Sequence, residues 1–251
     1  MERHRHGRPR DSRRGPRPAG IGPEHRRRWV VVTIVALVLA VGAVTGGPWV
    51  YARVMDQRAP GPLTLPSQTV DSALAASGRF ELNGRWLVAQ GSQAGYRIGE
   101  VLNGSSVEVV GRTDKVSGTA TVSGNDLASA SIEVEVGSIT TDQSARDVYF
   151  RRALDTSTYP TATFELTEPV DLSGLAGGSG PVTVSAPGTL TIGAATVDVT
   201  AELDVRRADD GLEVAGKVPV TLSDLDLTAP DLGFVTVEPQ GTVEFLLLMS
   251  H

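Results

Sequence analysis

From about Arg79 onward, apolar and polar positions alternate with a period of two. Val197, Val199, Ala201, Leu203 and Val205 are interleaved with Asp198, Thr200, Glu202 and Asp204, the pattern of a strand with one wet and one buried face. Leu212, Val214, Gly216, Val218 and Val220 repeat it, and Asp209-Asp210-Gly211 between the two runs predicts a hairpin turn. Ala128, Ala130, Ile132, Val134 and Val136 form a third run against Ser129, Ser131, Glu133 and Glu135. Shorter strands are predicted over 94–102, 107–112, 118–122, 161–166, 182–192 and 242–249. Ser144–Leu154 breaks the rhythm: it lacks Gly and Pro, and Thr141 or Asp142 offers an N-cap, so it predicts one short helix. A lone helix beside about eight antiparallel strands implies an all-β domain, either a closed barrel with a plug or lid, or a two-sheet sandwich.

The N-terminal part follows other rules. Trp29–Ala52 is a run of 24 residues without a charge. As a helix it would extend about 36 Å, enough to cross a hydrocarbon core of ~30 Å. Trp29 sits at one end and Trp49 and Tyr51 at the other, where amphipathic rings favour the membrane interfaces. Arg26, Arg27 and Arg28 abut the first end, so the positive-inside rule predicts a single-pass plasma-membrane protein, with a cytoplasmic N-terminus and an extracytoplasmic strand domain. A cleaved signal peptide ending near Ala40-Val41-Gly42 is the alternative, and it too exports the domain. Residues 1–28, rich in Arg, Pro and Gly, read as a disordered basic tail. Residues 53–78, with Pro60, Pro62 and Pro66, read as a linker, and residues 79–251 as the folded domain.

Composition narrows the chemistry. The tail carries ten Arg against three acids, a charge of +7 in a chain whose net charge is −6, so the remainder carries −13. An acidic body repels a phosphate backbone, which argues against nucleic acid as a partner. With no cysteine, disulfides and thiolate sites are excluded. The four histidines are His4, His6, His25 and His251, so residues 26–250 offer no imidazole for a Ser-His-Asp triad or a His-bound zinc. His251, at the chain end, is expected to fray. A carboxylate-pair hydrolase is the enzyme class left open, and no spacing of acids suggests one. Asp224, Asp226 and Asp231 lack EF-hand spacing and read as a solvated rim, so no metal and no cofactor is expected.

The stretch Ser138–Leu166 resembles the signature of the YceI-like family. Ser138, Ile139 and Thr141 match its Ser-Ile-x-Thr strand end; Arg146, Asp147 and Arg151 match its helix; Tyr159, Pro160 and Phe164 match its Tyr-Pro-x-x-x-Phe strand. Gly95-Tyr96-Arg97, Val110–Thr113, Leu190-Thr191-Ile192 and Phe234–Phe245 resemble further strands, and the likeness spans roughly residues 86–248. It implies a lipocalin-like antiparallel barrel holding a long amphiphile such as a polyisoprenoid, and the missing imidazoles and thiols lead to the separate expectation that the protein is not an enzyme. The His common in the family's helix is Tyr149 here, the His after Leu-Thr-Ile is Gly193, and the Gly-Val that follows is Ala194-Ala195. If those imidazoles meet a head group in relatives, this chain recognises a different head group or none.

Small interior residues and few aromatics leave room along a barrel axis, although the same residues could pack into a solid core. The ligand-contacting candidates are Tyr96, Arg146, Tyr149, Phe150, Leu154, Phe164 and Phe234. Arg146 and Asp147 could instead pin the helix to the barrel rim. A structural or partner-binding envelope ectodomain with a solid core and no ligand is the competing expectation.

Overall fold

The computed structural model describes residues 59–67, 81–102, 104–177, 180–208, 211–231, 233 and 235–251. The expected basic tail and membrane span lie outside these residues, as do most of the linker and Phe234. Among the described residues no helix is long and apolar enough to cross a membrane.

Among the described residues there are eleven strands: β1 (Gly84–Val88), β2 (Gln93–Leu102), β3 (Ser105–Thr113), β4 (Val116–Ser123), β5 (Asp126–Glu135), β6 (Thr161–Leu166), β7 (Val170–Asp171), β8 (Val182–Ile192), β9 (Ala195–Ala208), β10 (Gly211–Thr221) and β11 (Val235–Ser250). Helix α1 covers Ser144–Ala153, and a one-turn helix α2 covers Gly174–Gly177. All strand pairings are antiparallel. β1 and β2 lie end to end along β11, and β3 and β4 along their other side. Counting each such pair as one bent strand, the order β1/β2–β3/β4–β5–β6–β8–β9–β10–β11 closes on itself through β1–β11 pairing. The result is an eight-stranded barrel rather than a sandwich. Among the described residues β3 keeps a long edge: one side pairs with β2, and the other meets the chain through a bridge from Arg112 to Thr140.

The alternation holds along β9, where Ala201, Leu203 and Val205 are buried while Thr200 and Glu202 are exposed. It fails at Ala128. Thr121 pairs with Ser129 and Val122 with Leu127, so a bulge absorbs Ala128, which is exposed, and Leu127 turns inward in its place. β1 was not legible as a strand, since five residues carry little periodicity, and β11 begins at Val235 rather than Thr242.

The interior is filled at one end. Trp86, 1% exposed, donates its indole N–H to the Leu82 carbonyl at 2.9 Å and packs among Val122, Leu175, Leu203, Leu212 and Met249. His251 does not fray: its ring lies 3.8 Å from that of Trp86, and its Nε2 is 3.2 Å from the Glu81 carbonyl. α2 brings Leu175 into this plug.

Residues 59–67, expected as part of the linker, lie along the outer wall. Arg97 donates to the Pro60 carbonyl at 2.8 Å, Arg112 to that of Gly61 at 3.2 Å, and Arg206 to that of Pro66 at 2.8 Å. The Leu63 N–H donates to Glu244 at 3.3 Å. Glu244 also pairs with both Arg97 and Arg112, and Arg206 pairs with Glu213. Burial pulls the Arg112 pKa below its ordinary value, while the neighbouring Glu244 carboxylate pushes it back up.

Candidate functional site: an apolar cavity under helix α1

The end of the barrel opposite Trp86 is hollow. A cavity of about 240 Å³ lies inside the wall formed by β2, β5, β6, β8, β10 and β11. Its floor is Leu190, Val218 and Leu247, which border the plug. α1 and the segment 222–230 form its roof, with Tyr149, Phe150, Leu154, Leu225 and Leu227 among the lining residues. The interior is therefore neither solid nor hollow throughout.

Glycines shape the wall. A Cβ at Gly111 would lie 2.5 Å from the Tyr96 ring, and one at Gly188 would lie 2.5 Å from the Phe164 ring. One at Gly216 would overlap the Phe245 ring. Gly111 and Gly216 are the direct cross-strand partners of Tyr96 and Phe245. Each ring thus lies flat over a missing side chain on the next strand, and the lumen keeps its width.

α1 is seated by polar contacts, and not as expected. Its N-cap is Gln143, which makes no side-chain cap; neither Thr141 nor Asp142 holds that position. The cap is replaced by Asp147 in the first turn, whose Oδ1 accepts from the Thr141 N–H at 2.9 Å and from its hydroxyl at 2.8 Å. This fixes the helix to the chain leaving the barrel wall, and a buried carboxylate there also suits the positive helix end. Arg146 reaches Asp142 at 2.7 Å and Glu100 of β2 at 3.5 Å. Phe150 stacks on Tyr96 with centroids 4.9 Å apart.

Six of the seven candidate residues, Tyr96, Arg146, Tyr149, Phe150, Leu154 and Phe164, line this cavity; Phe234 lies outside the described residues. Tyr149 is 48% exposed at the mouth, while Leu154 is buried beside Val136, Ile139 and Ala162. Sequence reading missed Glu100, a carboxylate only 8% exposed and part of the lining. Its signal is a charge on the inward phase of β2, between Ile98 and Leu102, where the alternation calls for an apolar residue. Tyr96 has its pKa pushed up to about 12, chiefly because burial penalises the phenolate.

The YceI-like domain model matches residues 87–248. Comparison with curated proteins finds no match. Among solved structures, a polyisoprenoid binding domain from Saccharophagus degradans, implicated in plant cell wall breakdown, superposes with a TM-score of 0.55 at 22% identity, covering 67% of this chain and 98% of that one. Burkholderia cenocepacia BcnA matches at 21% identity with a TM-score of 0.48, over 62% of this chain and 96% of that one. A Campylobacter jejuni YceI protein matches at 14% identity with a TM-score of 0.39, over 74% of this chain and 98% of its own. At these identities the first likeness is one of fold.

Proposed function

The chain belongs to the YceI-like domain family, and from that premise we propose that it is a membrane-anchored, extracytoplasmic carrier that holds a polyisoprenoid-type amphiphile in the barrel. The observation that supports this reading is the apolar cavity of about 240 Å³ at the α1 end. Family membership and the polyisoprenoid-binding character of the Saccharophagus domain agree with it.

The magnitudes are consistent with partial enclosure. If a carbon-sized group needs about the ~30 Å³ of a water, the cavity takes at least about eight such groups. At ~0.8 kcal/mol per methylene this is at least about 6 kcal/mol of gross burial. Association costs of ~4–15 kcal/mol offset that gain. An isoprenoid tail of many units gains further burial where it runs on past the roof, beside Tyr149 and Val148, which are exposed on α1. The reading assigns the protein no catalytic step.

The anchoring half of the proposal rests on the uncharged run Trp29–Ala52 and the arginines before it. Extraction of the purified full-length protein with organic solvent, followed by mass spectrometry, tests the carrier role: a long-chain isoprenoid lipid is expected. Protein that emerges empty and takes up no such lipid from vesicles would refute it. Protease accessibility in intact cells tests the topology, with the barrel digested from outside and the tail protected.

A further inference from the structure

We propose that the polar corner of the cavity, made by Tyr96, Glu100 and Arg146, seats an uncharged hydrogen-bonding head group and rejects a phosphorylated one. This rests on the carrier reading above and deepens it.

The argument is one of charge placed against geometry. The cavity lining is apolar apart from a few groups, and the ionisable ones gather where β2 meets α1. Glu100 is buried in the wall, and the Arg146 guanidinium faces it at 3.5 Å while holding Asp142 at 2.7 Å. Asp147 is buried beside them and engaged by Thr141. Arg146, Asp147, Glu100 and Asp142 all act on the Tyr96 phenol, three carboxylates to one guanidinium.

A phosphate arriving here would lose its hydration, meet the buried Glu100 carboxylate, and compete for an Arg146 guanidinium already shared between Glu100 and Asp142. The end of α1 that would otherwise attract an anion is already taken by Asp147 in its first turn. The nearby arginines Arg97 and Arg112 turn their charge to Glu244 on the outer wall. A carbonyl, hydroxyl or amide suffers no such repulsion. Arg146 has five N–H donors against two carboxylate partners among the described residues, and the Tyr96 hydroxyl is a further donor.

Two probes with the same tail separate the cases. Full-length protein is incubated with phosphatidylcholine vesicles carrying either a polyprenol or its monophosphate, re-isolated, and its bound lipid counted by mass spectrometry. The alcohol is expected to load at least about tenfold more than the phosphate. Glu100→Gln combined with Asp142→Asn removes both carboxylates that occupy Arg146 and is expected to bring the phosphate to within a few fold of the alcohol. Asp142→Asn alone, at an exposed position, shifts the ratio in the same direction by a smaller factor. Phosphate loading equal to or above that of the alcohol in the unmodified protein overturns the selectivity while leaving the carrier role intact. A ratio unmoved by either variant overturns the assignment of these residues. Uptake of neither probe overturns the carrier reading, and the selectivity falls with it.

Discussion

Single residues decide whether the lumen is open. The Tyr96 ring lies over Gly111, and a methyl group there would also come within 2.8 Å of Ile139. Gly111→Ala is therefore expected to cost about 1–3 kcal/mol in denaturant melts and to push the ring into the cavity, with less lipid recovered on extraction. Tyr96 also reports on the dryness of its surroundings. Its folded pKa of about 12 stands above the ordinary 10.0, so the neutral phenol adds stability that is complete below pH 10 and lost as pH rises through 12. The difference in phenolate absorbance between the wild type and Tyr96→Phe is expected to titrate near 12. A midpoint near 10 would mean that the phenol is wet.

At the scale of elements, the barrel wall is held from outside as well as inside. Both faces of β10 are buried from Gly211 to Gly216 apart from Val214, although only one face looks into the lumen. The outer face carries Glu213, paired with Arg206, and lies beside Glu244, paired with Arg97 and Arg112; residues 59–67 run over this network. Buried charges of this kind are costly when one partner is removed. Glu244→Ala leaves two guanidinium groups without their shared carboxylate and is expected to destabilise the protein by about 3–5 kcal/mol in urea unfolding. Helix α1 is seated differently, through Asp147 to Thr141 and Arg146 to Glu100, so the same substitution should leave the roof of the cavity in place.

Across the whole molecule, the barrel divides into a packed half and a hollow half. Trp86, Leu175 and Leu212 fill one end, and the cavity occupies the other. Stability and capacity are thereby separated in space. Trp86→Ala removes a buried indole far from α1 and is expected to cost about 3–5 kcal/mol, read as a lowered denaturation midpoint. The amount of lipid recovered per folded molecule should not change. A loss of lipid equal to that seen for Gly111→Ala would mean that the two halves are coupled.

The period-two pattern determined by itself that the domain is antiparallel and all-β, and the absence of Gly and Pro over Ser144–Leu154 determined its helix, because both depend on local backbone geometry and one-sided burial. The motif from Ser138 to Leu166 carried the family, and with it five of the six candidate residues that line the cavity, Tyr96 lying upstream of it. Only the tertiary structure decided where the interior is full. Trp86, Leu175 and His251 meet from distant parts of the chain, and a plug is a property of their joint volume. The bulge at Ala128, the strap of 59–67 on the outer wall and the carboxylates gathered at Tyr96 likewise depend on which strands become neighbours. No periodicity along one segment records that, because pairing between strands is set by closure of the ring as a whole.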